Sequence, residues 1–303
     1  MMTGEEFQTR LDEAFTHEGE MYGRLALISE AQATFRSAAS KFNGHRALSD
    51  AFKACFLEAV ELLNGHCRPR VKEPLTEHYA LFLPRLTNSF HTLCAAELTA
   101  VNGYPRPAFA TLRNVFDDCV LTSAALLQVT DFYKIEGLDP ANTGDFDPIA
   151  AKRARKKTEF EVRQVMTGSS SGLGEATIYE LDMLNQLYDL EVHGSRLSLA
   201  NAMNFMKGTG PLPVVPVFIE RDYALFMNRY NEVAWAVHRL LPAMQPPSVP
   251  MPSSWASRWA LVDESFEIVV RSLSVQLGKK VGDAYADFVK TKFPFTAEKT
   301  FPL

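Results

Sequence analysis

Apolar residues recur every three or four positions along most of this 303-residue chain, and that spacing limits the fold more than any single motif. Prolines and Asn-Gly pairs interrupt the pattern at intervals that suit helices of ordinary length. The first predicted helix opens at a Thr3–Glu6 capping box. The next four are predicted at 20–42, 47–63, 73–101 and 106–128, the third of these with a kink or restart at Pro84. A further helix opens at Asp147-Pro148, and the last four are predicted at 175–192, 197–206, 220–244 and 255–277. Residues 131–147 are predicted to be a loop, and only 214–219 has the character of a strand.

This pattern predicts an all-α, multi-helix bundle with long central helices and little or no sheet. A chain of this length buries roughly 75% of its unfolded surface, which is enough for a sizeable core. We expect a single helical domain over residues 1–303, or a subdivision into an N-terminal bundle at 1–207 and a C-terminal helical pair at 217–290.

Composition narrows the class of protein. The chain is 47% hydrophobic and 22% charged with a net charge of −5, which is typical of soluble globular proteins and gives no general reason for membrane affinity. The acidic N-terminus lacks the apolar region of a signal peptide, and the longest nearly apolar run, 119–129, is too short to cross a bilayer. We therefore expect a cytoplasmic protein whose Cys55, Cys67, Cys94 and Cys119 are reduced.

A charged pair lies inside the apolar arc of the predicted 106–128 helix. The arc comprises Phe109, Leu112, Phe116, Val120, Ser123 and Leu127. Arg113 and Asp117 fall among these residues at i,i+4 spacing, whereas Asn114, Asp118, Thr111 and Thr122 are predicted to face the other way. Because isolated buried charge costs several kcal/mol unless it is paired, we expect a salt bridge with little solvent access, and a functional centre around it.

A second polar stripe follows the predicted 175–192 helix, with its members at steps of three and four residues. It consists of Asp182, Gln186, Asp189 and His193. Asp189 could orient the His193 imidazole or raise its pKa. The alternative is an exposed stripe that ends in a histidine at the helix C-terminus, since Gly194 suits a helix stop.

Two familiar motifs match in letters but not in context. Residues 167–174 fit the TGxxxGxG fingerprint of short-chain dehydrogenases, yet a charged helical pattern precedes them where that motif needs a strand. We expect a linker there that binds no dinucleotide. Asp117-Asp118 resembles the metal-binding motif of terpene cyclases but lacks its further acid three or four residues on. Zinc and di-iron spacings do not occur, so we expect neither a cofactor nor a metal.

The predicted helix after Asp147 carries a run of basic residues interleaved with Glu159 and Glu161. The basic residues are Lys152, Arg153, Arg155, Lys156 and Lys157. Together they spread over more than half of the helix circumference. They form either a solvated face or an RNA-contacting patch, and the sequence leaves both open.

Two segments carry a family resemblance over roughly residues 75–200. They are Asn102-Gly103-x-x-Arg106-x-Ala108-x-x-x-Leu112-Arg113-x-x-x-Asp117 and Tyr188-x-x-x-x-His193-Gly194-Ser195. They resemble poorly characterised bacterial all-helical proteins that are similar to HEPN-type bundles, which occur in toxin–antitoxin and phage-defence settings, often as metal-independent ribonucleases. This resemblance implies a helical fold, RNA or a nucleotide as substrate, an antitoxin-type partner protein and a homodimer.

The chain departs from the HEPN pattern at its catalytic motif. HEPN ribonucleases use Arg-x4–6-His, and no arginine lies at that distance before His193, although Arg85–His91 and Arg10–His17 fit the spacing. Asp117 also lies where the helix motif of the proteins that this chain resembles has a glutamate, whose side chain is longer.

Two functions remain from the sequence. In the first, the protein processes RNA or a nucleotide without metal. His193 would then be the general acid/base, Arg113 or Arg106 would stabilise phosphate charge, and Asp117 and Asp189 would support them. That function requires His193 to lie within a side chain's reach of Arg113 or Arg106. In the second, the protein is a non-catalytic interaction or regulatory bundle, and the Arg113–Asp117 pair is structural.

Overall fold

The computed structural model describes residues 5–6, 9–10, 18–66, 78–138, 147–167, 215–245, 251–272 and 279–297. Thr3, the linker residues 168–174 and the helices predicted at 175–192 and 197–206 lie outside these ranges. In the described part, helices are joined by turns and short irregular segments, with no strand, which confirms the all-α prediction. None of its helices is both long and apolar enough to cross a membrane.

The helices are α1 (Glu18–Ala39), α2 (Asn43–His66), α3 (Leu83–Val101), α4 (Pro105–Leu126), α5 (Phe132–Glu136), α6 (Pro148–Thr167), α7 (Glu220–Leu240), α8 (Ser253–Arg271) and α9 (Lys279–Lys292). Short 3₁₀ turns at Ser40–Phe42 and Leu241–Met244 extend α1 and α7, and a π-helical turn at His78–Phe82 precedes α3. Most of these bounds fall close to the predicted ones, because apolar periodicity and proline positions mark helices well.

Four local predictions were wrong. The helical path continues from α1 into α2 through the 3₁₀ turn rather than stopping at Asn43-Gly44, because Asn43 itself has right-handed helical dihedrals. α2 also runs past Asn64-Gly65 to His66. Within the predicted 131–147 loop, Asp131 caps the short helix α5 by accepting a hydrogen bond from the Lys134 backbone N–H. Residues 215–219 form no strand, and α9 was not predicted.

α7 lies at the centre of the bundle, where it packs against α2, α3, α4, α8 and α9. Every residue from Arg229 to Gln245 is buried, which includes Tyr230 and Trp235 with no exposed surface. Buried side chains from Phe35 in α1 to Phe295 after α9 form one contiguous hydrophobic core around it. Helix α7 therefore joins these five helices to one another.

Polar side chains of α7 are paired inside this core. The Trp235 Nε1–H donates to Asp263 Oδ1 at 2.7 Å, and Arg239 Nη1 donates to Asp263 Oδ2 at 2.7 Å. Arg239 Nε also donates to the Phe293 carbonyl at 2.9 Å, and the Ser123 hydroxyl on α4 donates to the Lys292 carbonyl. These contacts join α7 to α8 and attach the C-terminal end of α9 to α4 and α7.

Three of the four cysteines lie in described segments, and Cys55, Cys94 and Cys119 are all free, as predicted. Burial raises the pKa of Cys55 to about 11 and that of Cys119 well above its usual value. Both thiols are therefore protonated at neutral pH and serve as small core residues. Cys67 lies outside the described residues.

Candidate functional site

Helix α4 begins as the sequence predicts, after a tight turn at Asn102-Gly103. Gly103 has a φ of +100°, and a Cβ at this position would lie 2.3 Å from Pro216 Cβ. The Asn102 side chain closes the end of α3 by donating to the Leu98 carbonyl at 2.8 Å. Pro105 then occupies the first helical position, where its missing N–H costs nothing.

The predicted apolar arc of α4 is confirmed. Phe109, Leu112, Phe116, Val120 and Ser123 are buried. Arg113 and Asp117 lie at the edge of this arc, and Arg113 Nε donates to Asp117 Oδ2 at 3.4 Å. Their side chains keep 18% and 28% of their surface exposed, so the predicted salt bridge exists but is not sealed from water.

Asp118 lies on the side of α4 opposite the apolar arc, as predicted, but other helices cover that side. Its carboxylate lies 2.7 Å from Arg85 Nη2 on α3 and 3.4 Å from Arg155 Nη2 on α6. Thr122, one turn later, is also buried. The direction of both side chains is confirmed, but their contacts were not predicted, because α3 and α6 cover the side of α4 that lies opposite its apolar arc.

Asp117 and Asp118 are each held by two arginines. Asp117 lies between Arg113 of its own helix and Arg163 of α6, whose Nη2 is 2.6 Å from Asp117 Oδ2. Asp118 lies between Arg85 and Arg155 in the same manner. Two further carboxylates complete the cluster, since Glu159 accepts from Arg155 Nε at 2.8 Å and Glu136 accepts from Arg85. We call the four arginines and four carboxylates the α4–α6 ionic site.

A cavity of about 170 Å³ opens into this site between α4 and α6. It is lined by Asn114, Asp117, Asp118, Val120, Leu121, Arg155, Glu159 and Arg163. Burial raises the pKa of Asp117 and that of Asp118, although the neighbouring arginines oppose the change. Within the described ranges, no three His, Cys, Asp or Glu side chains are grouped so that they could hold a metal ion.

Arg106 lies apart from the α4–α6 ionic site. Its Nε donates to Asp222 Oδ2 on α7 at 2.9 Å, and 40% of its side chain is exposed. Because helical residues rise about 1.5 Å each, Arg106 and Arg113 are roughly 10 Å apart along α4. The structure therefore assigns the two arginines different partners. His193 and Asp189 lie outside the described residues, so their proximity to Arg113 or Arg106 stays a prediction.

Arg85 and His91, which fit the HEPN spacing, point in different directions. Arg85 belongs to the α4–α6 ionic site, whereas His91 is exposed and its ring contacts Phe90. Six helical residues turn the chain by about 600°, which leaves the two side chains roughly 120° apart. His17 lies outside the described residues, so Arg10–His17 is not placed.

Comparison with known protein families, curated proteins and solved structures gives no match to this chain.

Sequence reasoning missed the α6 side of the site. Arg155 and Arg163 were absent from the predicted centre, although both side chains reach carboxylates of α4. Val162 and Met166 are buried on the side of α6 that faces the bundle. The apolar i,i+4 spacing of Val162 and Met166 was the available signal in the sequence, because arginines beside an apolar stripe lay their stems along it.

The outer side of α6 has a different character. Lys152, Arg153, Lys156 and Lys157 are exposed, and we call these four residues the α6 basic face. With Arg155 turned inward, they span an arc of about 140° at 100° per residue. The basic run is thus divided between an internal ionic contact and a narrow external surface.

Replacing either Asp117 or Asp118 by Ala should lower the free energy of unfolding by about 1–3 kcal/mol, because each change leaves two arginines short of a charged partner. The effect should be smaller than for a sealed pair, since water reaches the site. Urea denaturation measures it, with Asn114→Ala as the control at an exposed position on the same helix. An Asp118→Ala variant as stable as the control would contradict the observed pairing.

Proposed function

We propose that this protein binds RNA through the α6 basic face as a non-catalytic regulatory bundle, and that the α4–α6 ionic site is structural. The observation that carries the proposal is the division of α6 into two faces. One is fixed to the bundle by Arg155 and Arg163, and the other presents four cations to solvent. A resemblance to HEPN-type bundles agrees with RNA as the partner.

The positive charge of α6 supports the proposal that the helix binds a polyanion. The helix contains six basic and two acidic residues in a chain whose net charge is −5. Lys157 makes a 3.8 Å contact with Glu161, whereas Lys152, Arg153 and Lys156 form no salt bridge within the part of the chain that the structure describes. Such a surface attracts phosphates locally despite the overall acidity.

Rigid attachment of α6 supports a structural role for the ionic site. Besides the two arginine contacts, α6 packs closely against the end of α5 at Gly137, whose φ is +68°. A Cβ at Gly137 would lie 2.3 Å from the Ala151 carbonyl oxygen. Ionic contacts and close packing together hold the basic face in one orientation, which lowers the entropic cost of binding.

Charge reversal on this face should abolish most of the RNA affinity. We expect Lys152→Glu/Lys156→Glu to weaken binding of a labelled single-stranded RNA by at least about tenfold, measured by fluorescence anisotropy. The matched control is Arg46→Glu/Arg221→Glu, which changes the net charge equally at exposed positions on α2 and α7 and should stay within about twofold of wild type. Four phosphate contacts also predict about 50-fold weaker binding when salt rises from about 50 to 200 mM. Equal losses in both variants would contradict the proposal.

A second function, metal-independent RNA processing, is favoured by one observation. The carboxylates of Asp117 and Asp118 line a cavity and have a raised pKa, which is a condition for a general acid. His193, Arg113 and Asp189 would complete that chemistry in this proposal. The same RNA, resolved on a gel after incubation, tests it. Cleavage by the wild type that His193→Ala abolishes would favour the enzyme, and intact RNA would favour the regulatory bundle.

A further inference from the structure

We infer that the RNA held by the α6 basic face is single-stranded and that one of its bases stacks on Phe160. This inference rests on the proposed function. It adds the kind of RNA and the residue that selects it.

Phe160 lies in the middle of the basic arc. Taking Lys152 as the origin, the 100° helical step puts Lys156 at about 40°, Phe160 at about 80°, Arg153 at about 100° and Lys157 at about 140°. Around the helix, cations lie on both sides of the ring, and along the helix axis all four precede it, with Lys156 and Lys157 one turn away. A row of basic side chains continued by an aromatic one suits a single strand, because the cations can follow the phosphates while the ring stacks on a base.

The Phe160 side chain is available for stacking, because 63% of its surface is exposed. Single exposed apolar residues are common on protein surfaces. Phe160 differs from them because it lies next to a row of cations. Stacking on an aromatic side chain strengthens binding by roughly ten- to hundredfold per base.

A duplex would not use this ring. Paired bases are stacked on one another, and the major groove of A-form RNA is too narrow for side chains to reach them. Duplex RNA would therefore meet only the four cations. The difference between the two kinds of RNA should be a property of Phe160 alone.

A membrane surface fits α6 less well. Interfacial helices separate a broad apolar face, which enters the lipid, from a basic face. In α6 the apolar face, with Val162 and Met166, is buried against the bundle. Of its exposed apolar side chains, Ile149 and Phe160 lie within the basic arc and Val165 lies alone on another side, so they form no broad apolar face.

The test measures the affinity of full-length variants for a single strand of about 16 nucleotides and for the duplex of the same sequence. Phe160→Ala should weaken single-strand binding by roughly ten- to hundredfold and change duplex binding by less than about twofold. Phe160→Tyr should retain the affinity because it keeps the ring. Val165→Ala is the matched control, since Val165 is exposed on another side of the same helix. Thermal unfolding of each variant checks that the fold is intact.

Four results would overturn the inference. If Phe160→Ala binds both RNAs as wild type does, or loses affinity for both equally, stacking is excluded while the RNA-binding surface stands. If the wild type binds neither RNA but does bind vesicles of phosphatidylcholine and phosphatidylserine, the surface is a membrane contact, and the proposed function fails as well. If it binds neither RNA nor vesicles, both proposals fail.

Discussion

Asp263→Ala should lower the free energy of unfolding by about 3–5 kcal/mol, among the largest effects of any single substitution in this protein. The Asp263 carboxylate accepts hydrogen bonds from Trp235 Nε1 and Arg239 Nη1, both at 2.7 Å. Arg239 has only 5% of its side chain exposed, so water cannot replace the lost partner. The substitution therefore leaves a charged group and an indole N–H uncompensated inside the core.

Urea denaturation monitored by tryptophan fluorescence measures this effect. Glu264→Ala is the matched control, because Glu264 is the next residue of α8 and is exposed. Asp263→Asn should fall between the two, since an amide oxygen still accepts from Trp235 but brings no charge to Arg239. If Asp263→Ala matched the control, the buried network would contribute little to stability.

Acidification should destabilise the protein through His238, by about 3 kcal/mol at about pH 4. Burial lowers the pKa of His238 from 6.5 to about 3, although its Nε2–H donates to the Trp259 carbonyl at 2.9 Å. Below pH 6.5 the unfolded chain binds a proton that the folded chain does not. The stability that depends on a neutral His238 is therefore fully present above pH 6.5, and it falls by about 1.4 kcal/mol per pH unit until about pH 3.

The variant His238→Phe isolates this contribution. Phenylalanine keeps a flat ring against Trp259, whose ring centroid lies 5.1 Å from that of His238, but cannot bind a proton. Its stability should depend less on pH than that of the wild type, whatever its stability at neutral pH. Asp117, Asp118 and Asp263, whose pKa values are raised by burial, act in the opposite direction in both proteins. Parallel pH profiles would show that His238 is not the cause.

Sequence patterns predicted the helices better than the surfaces between them. The apolar arc of α4 and the Asp147 cap of α6, which accepts from the Ile149 and Ala150 backbone N–H groups, are both confirmed. The contacts of Asp118 with α3 and α6 were not predicted, because periodicity indicates only which side of a helix is apolar. It does not indicate whether another helix covers the polar side.

Buried polar groups on α7 were beyond sequence reasoning for a related reason. Arg229, Glu232 and Arg239 have the composition of a solvated face, yet all three are buried. Arg229 and Glu232 pair within α7 at 2.6 Å, whereas Arg239 depends on partners far along the chain. A residue type and its helical position do not show such distant partners.

The attachment of α9 has a consequence for the order in which the chain folds during synthesis. Arg239 on α7 donates to the Phe293 carbonyl, and Ser123 on α4 donates to the Lys292 carbonyl. A ribosome delivers these acceptors only after nearly all of the core residues have emerged. Until then, the guanidinium of Arg239 would be buried with one acceptor missing, which opposes closure of the core. We therefore expect the nascent bundle to remain incompletely closed until α9 has left the ribosome.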